Sequence, residues 1–211
     1  MTATTAALAP TPAAPVKRPA RRLSLKKSLV YEIVDGQPIY FKGYREVLSG
    51  AKTKEEIMGD SSLQAWLKLR IAMLLFQQLH TKGFEVTNGE QGLKLGKKHR
   101  RDADIAIFRR ENFSLSKHYA QLPPDAVVEI DVEAETENNS EMAYVLRKVA
   151  DYFAFGLQKV VWVFTLEQRI LVFTPDQPPV TLAWEQDVDV IAGAKFNIAE
   201  MLKQSGLSIQ P

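Results

Sequence analysis

Ala103-Asp104-Ile105-Ala106-Ile107-Phe108 and, two dozen residues later, Asp125-Ala126-Val127-Val128-Glu129-Ile130-Asp131-Val132 place carboxylates inside segments otherwise built from strand-forming residues. Both runs are rich in Val, Ile and Ala and are bounded by charged or Pro-containing turns, the pattern of buried strands. Side chains alternate faces along a strand, so the spacing predicts that Glu129 and Asp131 point the same way, roughly 6–7 Å apart. A carboxylate buried alone costs several kcal/mol, so each must be paired, hydrogen-bonded or bound to a metal. With no Cys and only three His in the chain, an oxygen-rich set suits a hard cation such as Mg²⁺ or Mn²⁺. From spacing alone, strand-end acids facing solvent or pairing with a lysine are an equally good reading.

The 211 residues are 45% hydrophobic and 25% charged, enough for one sizeable core. No apolar run reaches the roughly 18–20 residues that a membrane span needs, and the composition is that of a cytoplasmic protein. The lack of Cys excludes disulfides, zinc-thiolate sites and cysteine nucleophiles. The net charge of +2 is unevenly spread. Residues 1–27 carry six Lys/Arg (Lys17, Arg18, Arg21, Arg22, Lys26, Lys27) and no acid, whereas the remainder holds 21 basic against 25 acidic residues, a net of −4. Thirteen of the first sixteen residues are Ala, Thr or Pro. Such a segment buries too little apolar surface to offset its ordering entropy, so residues 1–27 read as a disordered basic arm. The arm could touch nucleic-acid phosphates or act only as a solvated leader. Residues 28–211 read as one α/β domain.

Within that domain, Tyr31-Glu32-Ile33-Val34-Asp35-Gly36 reads as a strand entering an Asp-Gly turn, with Pro38-Ile39-Tyr40-Phe41 returning. Residues 44–58 are ambiguous. Ser61 or Ser62 caps a long helix running to about His80, with Leu63, Leu67, Ile71, Leu74, Leu75 and Leu79 along one stripe. Strands are expected near 84–87 and 91–95, before the two carboxylate strands. An amphipathic helix over 140–155 turns Met142, Val145, Leu146, Val149 and Phe153 inward, and Lys148 and Tyr152 lie one turn apart on its flank. Strands at 159–165, 169–174 and 180–184 and a helix near 198–204 complete the pattern.

No phosphate-binding loop, dinucleotide glycine motif or serine-nucleophile elbow is present. His80, His99 and His118 have neither zinc spacing nor a serine partner and read as surface residues. Lys97-Lys98-His99-Arg100-Arg101 reads as a basic loop preceding the Asp104 strand, with Lys97, Lys98, Arg100 and Arg101 placed to contact DNA phosphates if the strand carries a nuclease site, and a solvated turn is an equally good reading.

The ordered set Pro123-Pro124-Asp125-Ala126-Val127-Val128-Glu129-Ile130, then Lys148, Tyr152, Gly156 and Val160-Val161-Trp162-Val163, resembles the Uma-type restriction endonucleases of the PD-(D/E)XK superfamily. The opening Tyr31-Glu32-Ile33-Val34-Asp35-Gly36 and the Ala103-Asp104-Ile105-Ala106 strand fit the same pattern over roughly residues 31–200. The resemblance implies a restriction-endonuclease-like fold, a mixed central sheet flanked by helices, and a Mg²⁺- or Mn²⁺-dependent DNA endonuclease in which a homodimer is compatible. It implies Asp104 and Glu129 as metal-binding acids, the Ile130 carbonyl as a third ligand, and Lys148 as the charge-stabilising or basic residue. Asp131 stands where the superfamily usually has Lys, so it either adds a metal ligand or hydrogen-bonds locally. The alternative implied by that departure is a catalytically degenerate nuclease-fold module that binds nucleic acid or a protein partner without turnover.

Overall fold

The computed structural model describes residues 19–136 and 140–209. Its elements are α1 (Pro19–Ser28), β1 (Val30–Val34), β2 (Gln37–Tyr40), α2 (Tyr44–Ser49), α3 (Glu55–Met58), α4 (Ser62–Leu79), β3 (Phe84–Gly96), β4 (His99–Arg109), β5 (Ala126–Ile130), α5 (Glu141–Phe155), β6 (Lys159–Phe164), β7 (Arg169–Phe173), β8 (Val180–Ala183), β9 (Val188–Ile191), β10 (Ala194–Phe196) and α6 (Ile198–Ser205). Eight strands form one mixed sheet in the order β2-β1-β4-β5-β6-β7-β8, with β3 paired to β4. Among the described strands only β5 and β6 pair in parallel, Ala126 opposite Lys159 through Ile130 opposite Val163. A parallel pair needs a long crossover, which α5 supplies.

Helices cover both faces. On one side Leu67, Ile71, Leu75 and Leu79 of α4 pack on Ile105, Ile107, Val128, Val161 and Val163, together with Phe196, Ile198 and Met201. On the other side Tyr144, Val145, Val149 and Tyr152 of α5 pack on Ala106, Phe108, Val127, Val160 and Trp162. A sheet buried on both faces explains why β5 shows no apolar–polar alternation and every one of its residues is buried.

Several expectations are corrected. Residues 1–18 of the expected basic arm lie outside the described residues, but the arm does not run unfolded to residue 27: Pro19–Ser28 is helical, and Leu25 and Leu29 meet Tyr44 and Val47 in a small satellite core. The strands expected at 84–87 and 91–95 are one strand carrying a bulge at Gly89–Glu90. Residues 99–101 open β4 and leave only Lys97–Lys98 as its turn, whose Lys98 carbonyl accepts from the Gly36 amide at 2.8 Å. The β9–β10 hairpin was not expected, because its period-2 pattern spans only four and three residues. Its turn is made by Ala192 and Gly193, both at positive φ.

The α5–β6 corner is set by Gly156 at φ 119°, where an added Cβ would stand 3.2 Å from Pro123 Cγ. Gly156→Ala is expected to lower stability by about 1–3 kcal/mol through backbone strain and this contact, read as a lower urea midpoint with an unchanged m-value.

Candidate active site

Glu129 and Asp104 sit on neighbouring antiparallel strands that pair through Ile105 opposite Val128. Glu129 faces α5. Its Oε2 lies 3.1 Å from Lys148 Nζ, and its Oε1 accepts from the Tyr152 hydroxyl at 2.5 Å. The Tyr152 oxygen is also 3.1 Å from the Asp102 carbonyl. Helical spacing puts Lys148 and Tyr152 on one face, so both reach the same carboxylate.

Lys148 is 1% exposed and bridges two acids, with Glu32 Oε1 of β1 at 3.2 Å. Glu32 is in turn held by Arg101, by the Tyr144 hydroxyl at 2.8 Å and by the Asp102 amide at 3.2 Å. The rings of Tyr31, Tyr144, Tyr152 and Trp162 lie within 5.9 Å of the Lys148 ammonium. Burial pushes Glu129 up to about 7 against the pull of Lys148, and the charge of Asp104 adds to the rise. Burial acts the same way on Glu32, but Lys148 and Arg101 outweigh it and hold that carboxyl below its ordinary value. Burial would depress the Lys148 ammonium, yet Glu129 and Glu32 hold its pKa above the usual lysine value.

Asp104 is reached differently. Ala103, Ala106 and Phe108 pack on the α5 side, whereas Ile105 and Ile107 pack on the α4 side. The alternation therefore slips at Asp104, where Gly89 and Glu90 of β3, at φ 89° and 56°, face a single residue of β4. Bulges re-aim side chains in this way. The Asp104 Oδ2 accepts from the Ile130 amide at 2.7 Å, and Oδ1 is 2.9 Å from Lys68 Nζ of α4. The carboxylate thus lies at the level of the sheet, against the peptide that follows Glu129, with one cation from each helical layer beside the two acids.

Asp131 does not share the Glu129 face. It follows the last residue of β5 with φ 59°, which turns the chain out of the sheet. Its carboxylate accepts from the Thr165 amide and hydroxyl, both at 2.7 Å, and from Gln64 Nε2 at 3.0 Å. Local hydrogen bonding is therefore its observed role. Gln64 uses its other amide atom, Oε1, to close the capping box of α4 with Ser61. Among the described residues, no group of three or more His, Cys, Asp or Glu is arranged to hold a metal. A cleft of about 390 Å³ opens beside this end of β5, lined by Lys42, Lys52, Gln64, Asp131, Glu133 and Thr165 among others.

A profile of the Uma2 family, described as "Putative restriction endonuclease", matches residues 54–199. The chain belongs to this family. A solved structure described as "a putative nuclease belonging to DUF820" from Anabaena variabilis ATCC 29413 aligns with a TM-score of 0.61 at 14% identity, over 82% of this chain and 89% of that one. At that identity the likeness is one of fold, a nuclease fold. No curated protein matches the chain.

In this Uma2 member the basic run divides. Lys97 and Lys98 are exposed on the β3–β4 turn, and Arg100 lies 5.6 Å over the Tyr119 ring. Arg101 is 0% exposed and bound to Glu32 and Asp151, so it cannot contact DNA. His99, expected at the surface, is partly buried between Asp35 at 3.2 Å and Asp151 at 3.0 Å. Sequence reasoning missed Glu32 and Lys68, and gave Arg101 a DNA contact instead of its place in the core beside Glu32. Glu32 shares the strand face of buried Val34, and Lys68 lies three and seven residues before Ile71 and Leu75, on the inward stripe. A charge at a core position was the available signal in both.

Because Lys148 neutralises two buried acids, it also contributes to the stability of the fold. Lys148→Met is expected to cost about 3–5 kcal/mol, the penalty of leaving a buried charge unpaired. Lys148→Met combined with Glu129→Gln should recover part of that loss in chemical denaturation. Equal midpoints for Lys148→Met and the native chain would refute the buried-pair account.

Proposed function

We propose that this protein is a metal-dependent DNA endonuclease whose site is Asp104, Glu129 and Lys148. The observation that carries the reading is the meeting of Asp104 with the Glu129–Ile130 peptide, flanked by the Lys148 and Tyr152 contacts to Glu129. The donor set fits Mg²⁺ or Mn²⁺. Each of the four carboxylate oxygens has a single protein donor and keeps lone pairs free. The raised Glu129 pKa means that Lys148 alone does not offset its burial. Magnesium is commonly held by one or two carboxylates with water and phosphate completing the shell, so Asp104, Glu129 and the Ile130 carbonyl would suffice without Asp131. A divalent ion there would polarise the phosphodiester and lower the pKa of a bound water.

The chain's own groups then have distinct tasks. Tyr152 and Lys148 fix the two oxygens of Glu129, which removes its rotational freedom before substrate arrives. Lys148 stays charged and adds positive potential next to the developing phosphorane instead of acting as a neutral base. The Ile130 amide fixes Asp104. Lys97 and Lys98 lie six or seven residues along β4 from Asp104, roughly 20 Å at strand rise, and would hold phosphates remote from the cleaved bond. Arg100 would assist from the same hairpin.

One observation favours a second reading, a degenerate nuclease-fold module that binds without turnover. Lys148 is fully enclosed and committed to Glu32 and Glu129, which leaves it no open path to a phosphate. Plasmid nicking in Mg²⁺, Mn²⁺ and EDTA separates the two. The nuclease reading expects metal-dependent nicking that Asp104→Asn and Glu129→Gln each reduce by at least about 100-fold. DNA binding without nicking under all three conditions would favour the module.

Protonation of Glu129 competes with metal, because binding requires the carboxylate. With its pKa near 7, Mn²⁺ affinity should fall by up to about tenfold per pH unit below that value and level off above it. Calorimetric titration from pH 5.5 to 8.5 checks this, and a flat profile would remove Glu129 from the ligand set.

A further inference from the structure

Lys68 occupies a position that packing alone would give to Leu or Ile. It lies on the inward stripe of α4 with Leu67, Ile71 and Leu75, and it is buried. Burying an ammonium is costly unless acids surround it, and here three do. Lys68 Nζ is 2.6 Å from Asp60 Oδ1, 2.9 Å from Asp104 Oδ1 and 3.7 Å from Glu133 Oε1.

The three acids come from three separate segments. Asp60 precedes the Ser61 cap of α4, and Asp104 sits at the β4 irregularity. Glu133 is held by backbone pairing of its segment with β2, the Lys42 amide donating to the Glu133 carbonyl and the Glu135 amide to the Tyr40 carbonyl, both at 2.7 Å. Glu133 also lines the cleft beside β5, so the cluster borders open space. With the ammonium in place these three acids are not arranged to hold a metal; with a neutral side chain at 68, their oxygens, gathered from separate segments, would be free to close on a hard divalent cation. Three carboxylates around one ammonium leave negative charge in excess.

We propose that the Lys68 ammonium is a built-in cation: it fills a seat formed by Asp60, Asp104 and Glu133, excludes a second divalent ion from it, and holds Asp104 toward the one ion of the reading above, on which the inference rests. Lys68 is then a positioning residue that acts through Asp104. It makes this a one-metal site, and replacing Lys68 with a neutral side chain should turn it into a two-metal site. Methionine matches the length of the lysine stem without its charge, and arginine keeps the charge with a bulkier head.

The test is Mn²⁺ titration of the full chain by calorimetry and by electron paramagnetic resonance, with thermal unfolding followed in parallel. The native protein is expected to bind one Mn²⁺. Lys68→Met should bind a second, at least about tenfold more tightly than any further ion on the native chain, because a full positive charge has left the seat. Its melting temperature should also rise more steeply with Mn²⁺. Lys68→Arg should bind one ion. Lys68→Met combined with Asp60→Asn and Glu133→Gln should return to one ion and keeps the test open if the single variant folds poorly. A purely structural lysine would change stability but not ion number, so a folded Lys68→Met, or a triple variant and Lys68→Met alike, with native stoichiometry overturns the proposal. A native chain that binds no Mn²⁺ while Lys68→Met binds one would remove the Asp104–Glu129 metal reading and leave the Lys68 seat standing. Absence of binding in both would remove both.

Discussion

The ion cluster enclosed between the sheet and α5 constrains the rest of the molecule. Glu129 and Glu32 cannot be buried without a cation between them, and Lys148 is that cation. Reaching both acids fixes the rotation and height of α5 against β5 and β1. The same rotation brings Tyr144 to Glu32 and Tyr152 to Glu129. Gly156 then ends α5 where β6 must begin beside β5, so the parallel crossover and the ion cluster are parts of one arrangement.

The opposite layer solves the same problem for Asp104. A bulge in β3 breaks the alternation of β4 and puts the Asp104 carboxylate at the level of the sheet, where a backbone amide from β5 and an ammonium from α4 meet it. Helix α4 is registered by Ser61 and Gln64, and Gln64 also reaches Asp131, which ties the ends of β5 and β6 through Thr165. Asp131 therefore supports the site as a turn residue that tolerates positive φ. Its carboxylate is taken by donors at the strand ends.

The elements with long, strongly periodic patterns were legible from the chain. The α4 stripe from Leu63 to Leu79, the α5 stripe through Val145 and Val149, and the apolar runs of β5 and β6 all declare themselves through spacing. Asp104 and Glu129 stood out because charges inside apolar patterns are costly and must have partners, whereas Lys148, on a helix flank, was singled out by the family resemblance. Short elements were harder. The Val188–Ile191 and Ala194–Phe196 hairpin has too few alternations to exceed chance, and helix α1 depends on Leu25 and Leu29 finding the α2 surface, a contact absent from local pattern.

Local sequence thus determined which residues could form strands and helices, which faces were apolar, and that several acids needed cations. It did not determine which cation serves which acid. That assignment rests on pairing between residues dozens of positions apart: Glu32 with Arg101 and Lys148, Asp104 with Lys68, Asp131 with Thr165. The basic run at 97–101 makes the point most directly, since strand register sends Arg101 into the core and leaves Lys97 and Lys98 in solvent. Register and bulges are properties of the assembled sheet. A one-residue shift reverses which side chains are buried, and only the tertiary structure decides where that shift falls.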